Sequence, residues 1–180
     1  MKGILFTEFL RFVDHELGPE IAERLMAEGH GDYLTLETYD PSRMQALVGR
    51  TAALVDTPPG ELLCRFGMQL FGRFASLYPV FFSDVDSSIG FIAGIETFVH
   101  RELHKLYGDV EFPVLVCCQP APGRLEMTYR SRRHLADLAE GLVRGCIAHF
   151  GDPIEVRRED LPAADGEQVV RFDLVTFPTR

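Results

Sequence analysis

His100 and His104 stand four residues apart in the run His100-Arg101-Glu102-Leu103-His104. On a helix, two imidazoles at that spacing face the same way and could share a metal. The zinc-protease signature needs Glu directly after the first His, and here Arg101 holds that place with no third ligand in sight. The two settings also differ. Ile92, Ile95, Val99, Leu103 and Leu106 form an apolar stripe with His100 at its edge, beside Glu96 and Tyr107. His104 lies among Arg101, Lys105 and Gly108, a wetter neighbourhood. His100 therefore reads in two ways. It is either a core histidine with its hydrogen bond satisfied, or a neutral imidazole projecting into an apolar cavity, as an axial haem ligand does.

A second group is Tyr129-Arg130-Ser131-Arg132-Arg133. A phenol, a hydroxyl and a guanidinium within five residues can clamp paired carboxylates or a phosphate. A solvated basic turn is the plainer alternative. A helix opening at Arg133 would add its dipole and free N–H groups. The cysteines promise less. Cys117 and Cys118 are neighbours in an expected strand and point to opposite faces, while Cys64 and Cys146 fall on apolar helix faces as inert core. No G-x-S-x-G, G-x-x-x-x-G-K or G-x-G-x-x-G run is present.

Apolar periodicity marks out the elements that must position these groups. Ile4, Leu5, Phe9, Phe12, Val13 and Leu17 recur at helical spacing and stop at Gly18-Pro19. A short helix over 19–28 follows, and another opens at Asp40-Pro41-Ser42. Next come long helices over 61–78, halted by Pro79, and over 88–107, with cap candidates from Asp84 to Ser88. Beyond Gly108 the pattern changes to strands over 114–118, 124–129, 153–158 and 168–177. A helix over 133–150, closed by Gly151-Asp152-Pro153, separates the second strand from the third. The expected fold class is α+β: a helical N-terminal part packed on a C-terminal part with a roughly four-stranded antiparallel sheet and a long helix. A single domain over 1–180 is expected, with a helical lobe over about 1–80 and the 88–107 helix and sheet in a lobe over about 81–180.

Composition narrows the partners. With 18 Lys+Arg against 27 Asp+Glu, the net charge of −9 argues against nucleic acid or any polyanion. It also makes the Arg130–Arg133 cluster a local exception. Four cysteines without regular spacing make no disulfide framework, so a reducing, cytoplasmic setting is expected. Glu8, Arg11 and Asp14 interrupt the N-terminus before a signal peptide could form, and Leu77 to Phe82 is far short of the roughly 20 residues that span a bilayer. No membrane association is expected. Fourteen Phe, five Tyr and no Trp supply much flat apolar surface for so small an acidic chain.

Taken together, the chain resembles the haem nitric oxide/oxygen-binding (H-NOX) family. The resemblance rests on the Met1-Lys2-Gly3-Ile4 start and on Gly72-Arg73-Phe74 leading to Tyr78-Pro79-x-Phe81-Phe82. It continues through the run from Ile95 to Leu103, then Lys105-Leu106-Tyr107 and Glu111-Phe112-Pro113. The family's proximal histidine falls on His100, and its Y-x-S-x-R motif on Tyr129, Ser131 and Arg133. The match covers essentially the whole chain. It implies a bound haem b between the two lobes, ligated by His100, with both propionates held by Tyr129, Ser131 and Arg133. Pro113 matches the proline that presses on and distorts the porphyrin.

Dioxygen-binding members place a tyrosine five residues after the motif's arginine, where this chain has Leu138. The other distal positions are Leu5, Phe9, Leu70, Phe74 and Leu142, all apolar. The resemblance thus implies a sensor of nitric oxide, and of CO, that excludes dioxygen. Nitric oxide would weaken the bond to His100 and let the 88–107 helix shift. No enzyme activity is expected, because an apolar distal side offers no acid or base to cleave peroxide. Signalling would pass to a separate histidine kinase or cyclic-di-GMP enzyme, since the last expected strand ends just before Arg180. Some relatives hold zinc through three cysteines and a histidine. His149 is present here but those cysteines are not, so no zinc is expected. A haem-free module of the same fold, binding another small ligand, is the alternative.

Overall fold

Helix α1 (Gly3–Phe12) runs straight on through a π-helical turn, Val13–Leu17, to Gly18 at φ 111°. Its start explains the Met1-Lys2-Gly3 run. The terminal amine donates to Tyr39 O at 2.8 Å, and a Cβ on Gly3 would lie 1.8 Å from Leu34 O, so only glycine fits. Helix α2 (Pro19–Leu25) follows, ending in the turn Met26–His30. Helix α3 (Pro41–Leu54) is capped by Asp40, whose Oδ1 accepts the Ser42 N–H at 2.8 Å, with Pro41 in the first turn where its missing N–H costs nothing. The computed structural model describes residues 1–108 and 111–177. Contacts divide the chain into two units, Met1–Phe66 and Gly67–Arg180. The first unit packs Phe6, Phe9, Phe12, Leu25, Met44, Leu47, Leu62 and Phe66 out of water.

Helix α4 (Pro59–Leu77) begins in the first unit and ends in the second, starting two residues earlier than expected because Pro59-Gly60 joins its first turn. The 88–107 helix forms as expected but in three parts. These are α5 (Ser88–Gly94), a π-helical segment Ile95–His100, and α6 (Arg101–Tyr107). Its N-terminus is tied down: Ser88 is wholly buried and donates its N–H and hydroxyl to Asp152 Oδ2 at 2.7 and 2.5 Å.

The sheet has the order β1-β2-β4-β3 and is antiparallel throughout. Its strands are β1 (Val114–Ala121), β2 (Arg124–Ser131), β3 (Ile154–Leu161) and β4 (Gln168–Thr176). Strand β1 reaches past Pro120 because it lies at the sheet edge, where a missing N–H is tolerated, and its register slips between Cys118 and Ala121. Alternation along β2 and β4 buries Leu125, Met127 and Tyr129 beside Val170, Phe172 and Leu174. Helix α7 (Ala136–Phe150), with Ala136, Val143 and Cys146 buried, and Phe91 and Ile92 of α5 complete that core.

Helix α7 starts three residues later than the expected 133. His134 sits at φ 53°, outside helical space, and Arg132 and Arg133 belong to the turn before it. The first N–H of α7 is also taken, by Gln168 Oε1 at 3.1 Å. Residue 133 therefore lacks the free N–H groups that a helix start at that point would have supplied. Helices α4 and α7 meet backbone to backbone. A Cβ on Gly67 would lie 2.5 Å from Leu138 O, and one on Gly145 would lie 2.7 Å from Met68 O.

Candidate functional site

His100 closes the π-helical segment, which contains no fully buried residue. A π turn inserts one extra residue into the helix and re-aims the side chains around it, which is why such turns gather at functional sites. The His100 side chain is 12% exposed. Its ring stacks on Phe112 at 4.5 Å between centroids, and Phe112 meets His104 edge-on at 4.9 Å. Burial pushes the His100 imidazole below its ordinary pKa, while the Glu96 carboxylate pulls the other way, so the ring is neutral near pH 7. Among the described residues, its Nδ1 is the buried side-chain polar atom that lacks a hydrogen bond. Glu96 Oε2 is 3.4 Å from it, within ion-pair reach but poorly aligned for a bond. His104 is exposed, with Nδ1 3.4 Å from Gly108 O.

The Tyr129 group is built by strand alternation. Tyr129 and Ser131, two apart on β2, share a face. Tyr129 is 2% exposed. Burial raises its phenol above the ordinary range, opposed by hydrogen bonds to Ser131 and the Leu135 backbone, so it stays a neutral donor. The Arg133 N–H donates to Ser131 Oγ at 3.1 Å, and this turn brings Arg133 back toward the strand end. Its side chain is 17% exposed, with the guanidinium 3.5 Å from the exposed Glu111 carboxylate. Arg130 and Arg132 are exposed, Arg130 facing Glu167 at 3.7 Å. The basic cluster thus splits into one half-buried arginine and two solvated ones.

The two groups meet across β1. Glu96 Oε1 accepts the Leu115 N–H at 2.5 Å, and Leu115 is the register partner of Tyr129. Pro113, half-buried, leads from Phe112 into that strand. The apolar positions fall into two sets. Leu70 and Phe74 lie one turn apart on α4, and Leu138 and Leu142 one turn apart on α7. Leu70 and Leu138 are buried, Phe74 and Leu142 half-buried. Leu5 and Phe9 lie on α1 in the first unit. Leu5 is half-buried, and Phe9 is wholly buried with its ring edge-on to Phe66 at 5.1 Å. Sequence reasoning gave Phe112 no part in holding His100 and treated Glu96 only as a neighbour. For Glu96 the signal is its four-residue spacing from His100 on a helix.

Haem needs a neutral imidazole, donors for two carboxylates and an apolar lining. The half-buried His100 with its buried, unsatisfied Nδ1, and the Tyr129, Ser131 and Arg133 donors at one strand end, fit that group. Cys117 and Cys146 are thiols set apart from this group by burial. Burial raises both thiols, Cys117 to about 11 and Cys146 further still. No helix among the described residues is long and apolar enough to cross a membrane.

Comparison with known proteins agrees. The haem-NO-binding family model matches residues 2–158. The unliganded Fe(II) H-NOX protein from K. algicida is 30% identical, with a TM-score of 0.89 over 99% of this chain and 98% of that one. A point mutant of T. tengcongensis H-NOX is 21% identical, with a TM-score of 0.88 over 98% and 97% of the two chains. The S. oneidensis H-NOX protein in its Fe(II)NO state is 24% identical, with a TM-score of 0.83 over 97% and 99%. The last two share the fold. A search of curated proteins found no match.

Proposed function

The chain belongs to the haem-NO-binding (H-NOX) family of haem-based gas sensors, and from that premise we propose that it senses nitric oxide, and CO, at a ferrous haem b while excluding dioxygen. Bound haem supplies an iron with a coordination position open to a diatomic gas. His100 would ligate the iron, and Tyr129, Ser131 and Arg133 would hold the two propionates. The carboxylates are anions in a chain of net charge −9, and burying them without a cationic, hydrogen-bonding partner would be costly. Arg133 is that partner. Pro113 would pack against the porphyrin, and the apolar side chains expected to face the gas are Leu5 and Phe9 of the first unit and Leu70, Phe74, Leu138 and Leu142 of the second. The observation that carries the reading is the join of the two groups: the half-buried His100 lies against Glu96, and Glu96 bonds the strand position opposite Tyr129.

Selectivity follows from Leu138. A polar dioxygen adduct gains from a hydrogen-bond donor, nitric oxide does not need one, and a buried leucine offers none. Ser88 is tied to Asp152 while the segment Ile95–His100 holds no fully buried residue, so the helix that carries His100 has one fixed end and an arrangement that a bound gas could bias. The signal passes in the cytoplasm to a separate protein, a histidine kinase or cyclic-di-GMP enzyme, and the chain itself is not an enzyme. An absorption spectrum of the reduced protein tests this. The expected Soret band shifts with nitric oxide and with CO and stays unchanged in air. A stable oxy spectrum in air would overturn the exclusion of dioxygen. A colourless protein after expression with ample haem would favour the haem-free binding module. Leu138→Tyr, by restoring a donor, should let the oxy form appear.

A further inference from the structure

Glu96 links the two groups, yet the sensor reading gives it no chemical role of its own. One carboxylate oxygen is committed: Oε1 accepts the Leu115 N–H at 2.5 Å, which fixes the group between the π-helical segment and edge strand β1. The other, Oε2, lies 3.4 Å from His100 Nδ1, the buried side-chain atom without a hydrogen bond among the described residues. Phe112 covers one face of the imidazole, 4.5 Å away between centroids. Site hydrogen bonds are often long and misaligned before the ligand arrives and tighten once it is bound.

We propose that Glu96 is the positioning residue for His100: its carboxylate, anchored on the Leu115 N–H, accepts the Nδ1–H of the imidazole and so fixes the ring orientation and the tautomer that leaves Nε2 for the metal. The inference rests on the reading of His100 as the haem ligand. A carboxylate on the far nitrogen of a ligating histidine orients the ring and raises its basicity, and loss of such a partner typically weakens metal binding about 10- to 100-fold. Because Leu115 pairs with Tyr129, the same carboxylate also ties the ligand to the strand that carries the propionate donors.

The test compares Glu96→Ala and Glu96→Gln with the parent protein in three measurements. These are haem affinity of the apo-protein, the iron–imidazole stretching band of the ferrous protein by resonance Raman, and thermal unfolding without haem. Glu96→Ala should weaken haem binding about 10- to 100-fold and lower the stretching frequency. Glu96→Gln keeps an acceptor without the charge, so its frequency should fall between the two. It also carries the test alone if the alanine variant does not fold. An unchanged frequency in the variants overturns the proposal, even if apo stability drops, because Glu96 would then only brace β1. If the parent protein shows no iron–imidazole band, the reading of His100 fails and takes the proposal with it.

Discussion

The donors proposed for the carboxylates and the ligand proposed for the iron are held by two regions built in contrasting ways. Tyr129 and Ser131 stand on β2, an interior strand bonded to β1 on one side and β4 on the other, over a core of Leu125, Met127 and Phe172. Arg133 is set by the turn that Ser131 closes. His100 stands instead at the end of a π-helical segment with no fully buried residue. Phe91 and Ile92 bury the first part of its helix in the core, while Ile95 and Val99 pack against that core only half-buried. Three links add to this: Ser88 to Asp152 at the start, Glu96 to Leu115 in the middle, and the Phe112 stack at the ring. Elements with little buried apolar area are the ones that open at low cost. Under the proposed function, one region is the clasp for the carboxylates, and the other carries the iron ligand on a segment without a fully buried residue. A gas sensor needs that asymmetry, since a ligand held as firmly as the clasp would have nothing to report.

Removing the ligand tests the contrast most severely. His100→Ala should reduce haem content to background while circular dichroism and the unfolding midpoint of the apo-protein stay close to the parent's. Arg133→Ala should bind haem more weakly yet keep the iron–imidazole band, because the clasp holds the rim and not the metal. Equal loss of the band in both variants would break the distinction between the two regions.

The next largest effect lies in the packed region. Gly67→Ala places a methyl 2.5 Å from Leu138 O, a backbone atom with no rotamer to yield. The expected loss is about 1–3 kcal/mol, enough to outweigh the gain of about 1 kcal/mol in helix propensity. Gly72, exposed on the same helix with nothing within 4 Å of an added methyl, is the control: Gly72→Ala should keep the propensity gain and be neutral or stabilising. Urea unfolding of both variants reads the difference. If Gly67→Ala were as well tolerated as Gly72→Ala, α4 and α7 would not be closely fitted.

These residues also show what could be read before the fold was known. Tyr129 and Ser131 were legible because a strand alternates and a two-residue spacing puts both on one face. The helix carrying His100 was legible from its apolar stripe, including its start at Ser88. The π-helical segment within it was not, because one inserted residue shifts the stripe without breaking it. The start of α7 was misread by three residues: Arg133 and His134 look helical until His134 adopts φ 53°. Gly67 and Gly145 register in a sequence only as weak helix formers, and their purpose appears when a second helix crosses them. Glu96 was visible as a neighbour of His100, but its bond to Leu115 spans 19 residues and depends on where β1 docks.

The smallest effect should come from Asp152, the tie at the other end of the His100 helix. Asp152→Asn keeps an oxygen to accept from Ser88 but removes the charge that strengthens both bonds, now 2.7 and 2.5 Å long. The expected cost is about 0.5–1.5 kcal/mol of stability, read by thermal unfolding. Because Ser88 lies twelve residues before His100, this change should leave the iron–imidazole band where it is while loosening the start of α5. Hydrogen exchange at the amides of 88–94 should then rise ahead of those in β2. If exchange rose equally in both, the helix and the sheet would open as one unit, and the ligand would be held no more loosely than the clasp.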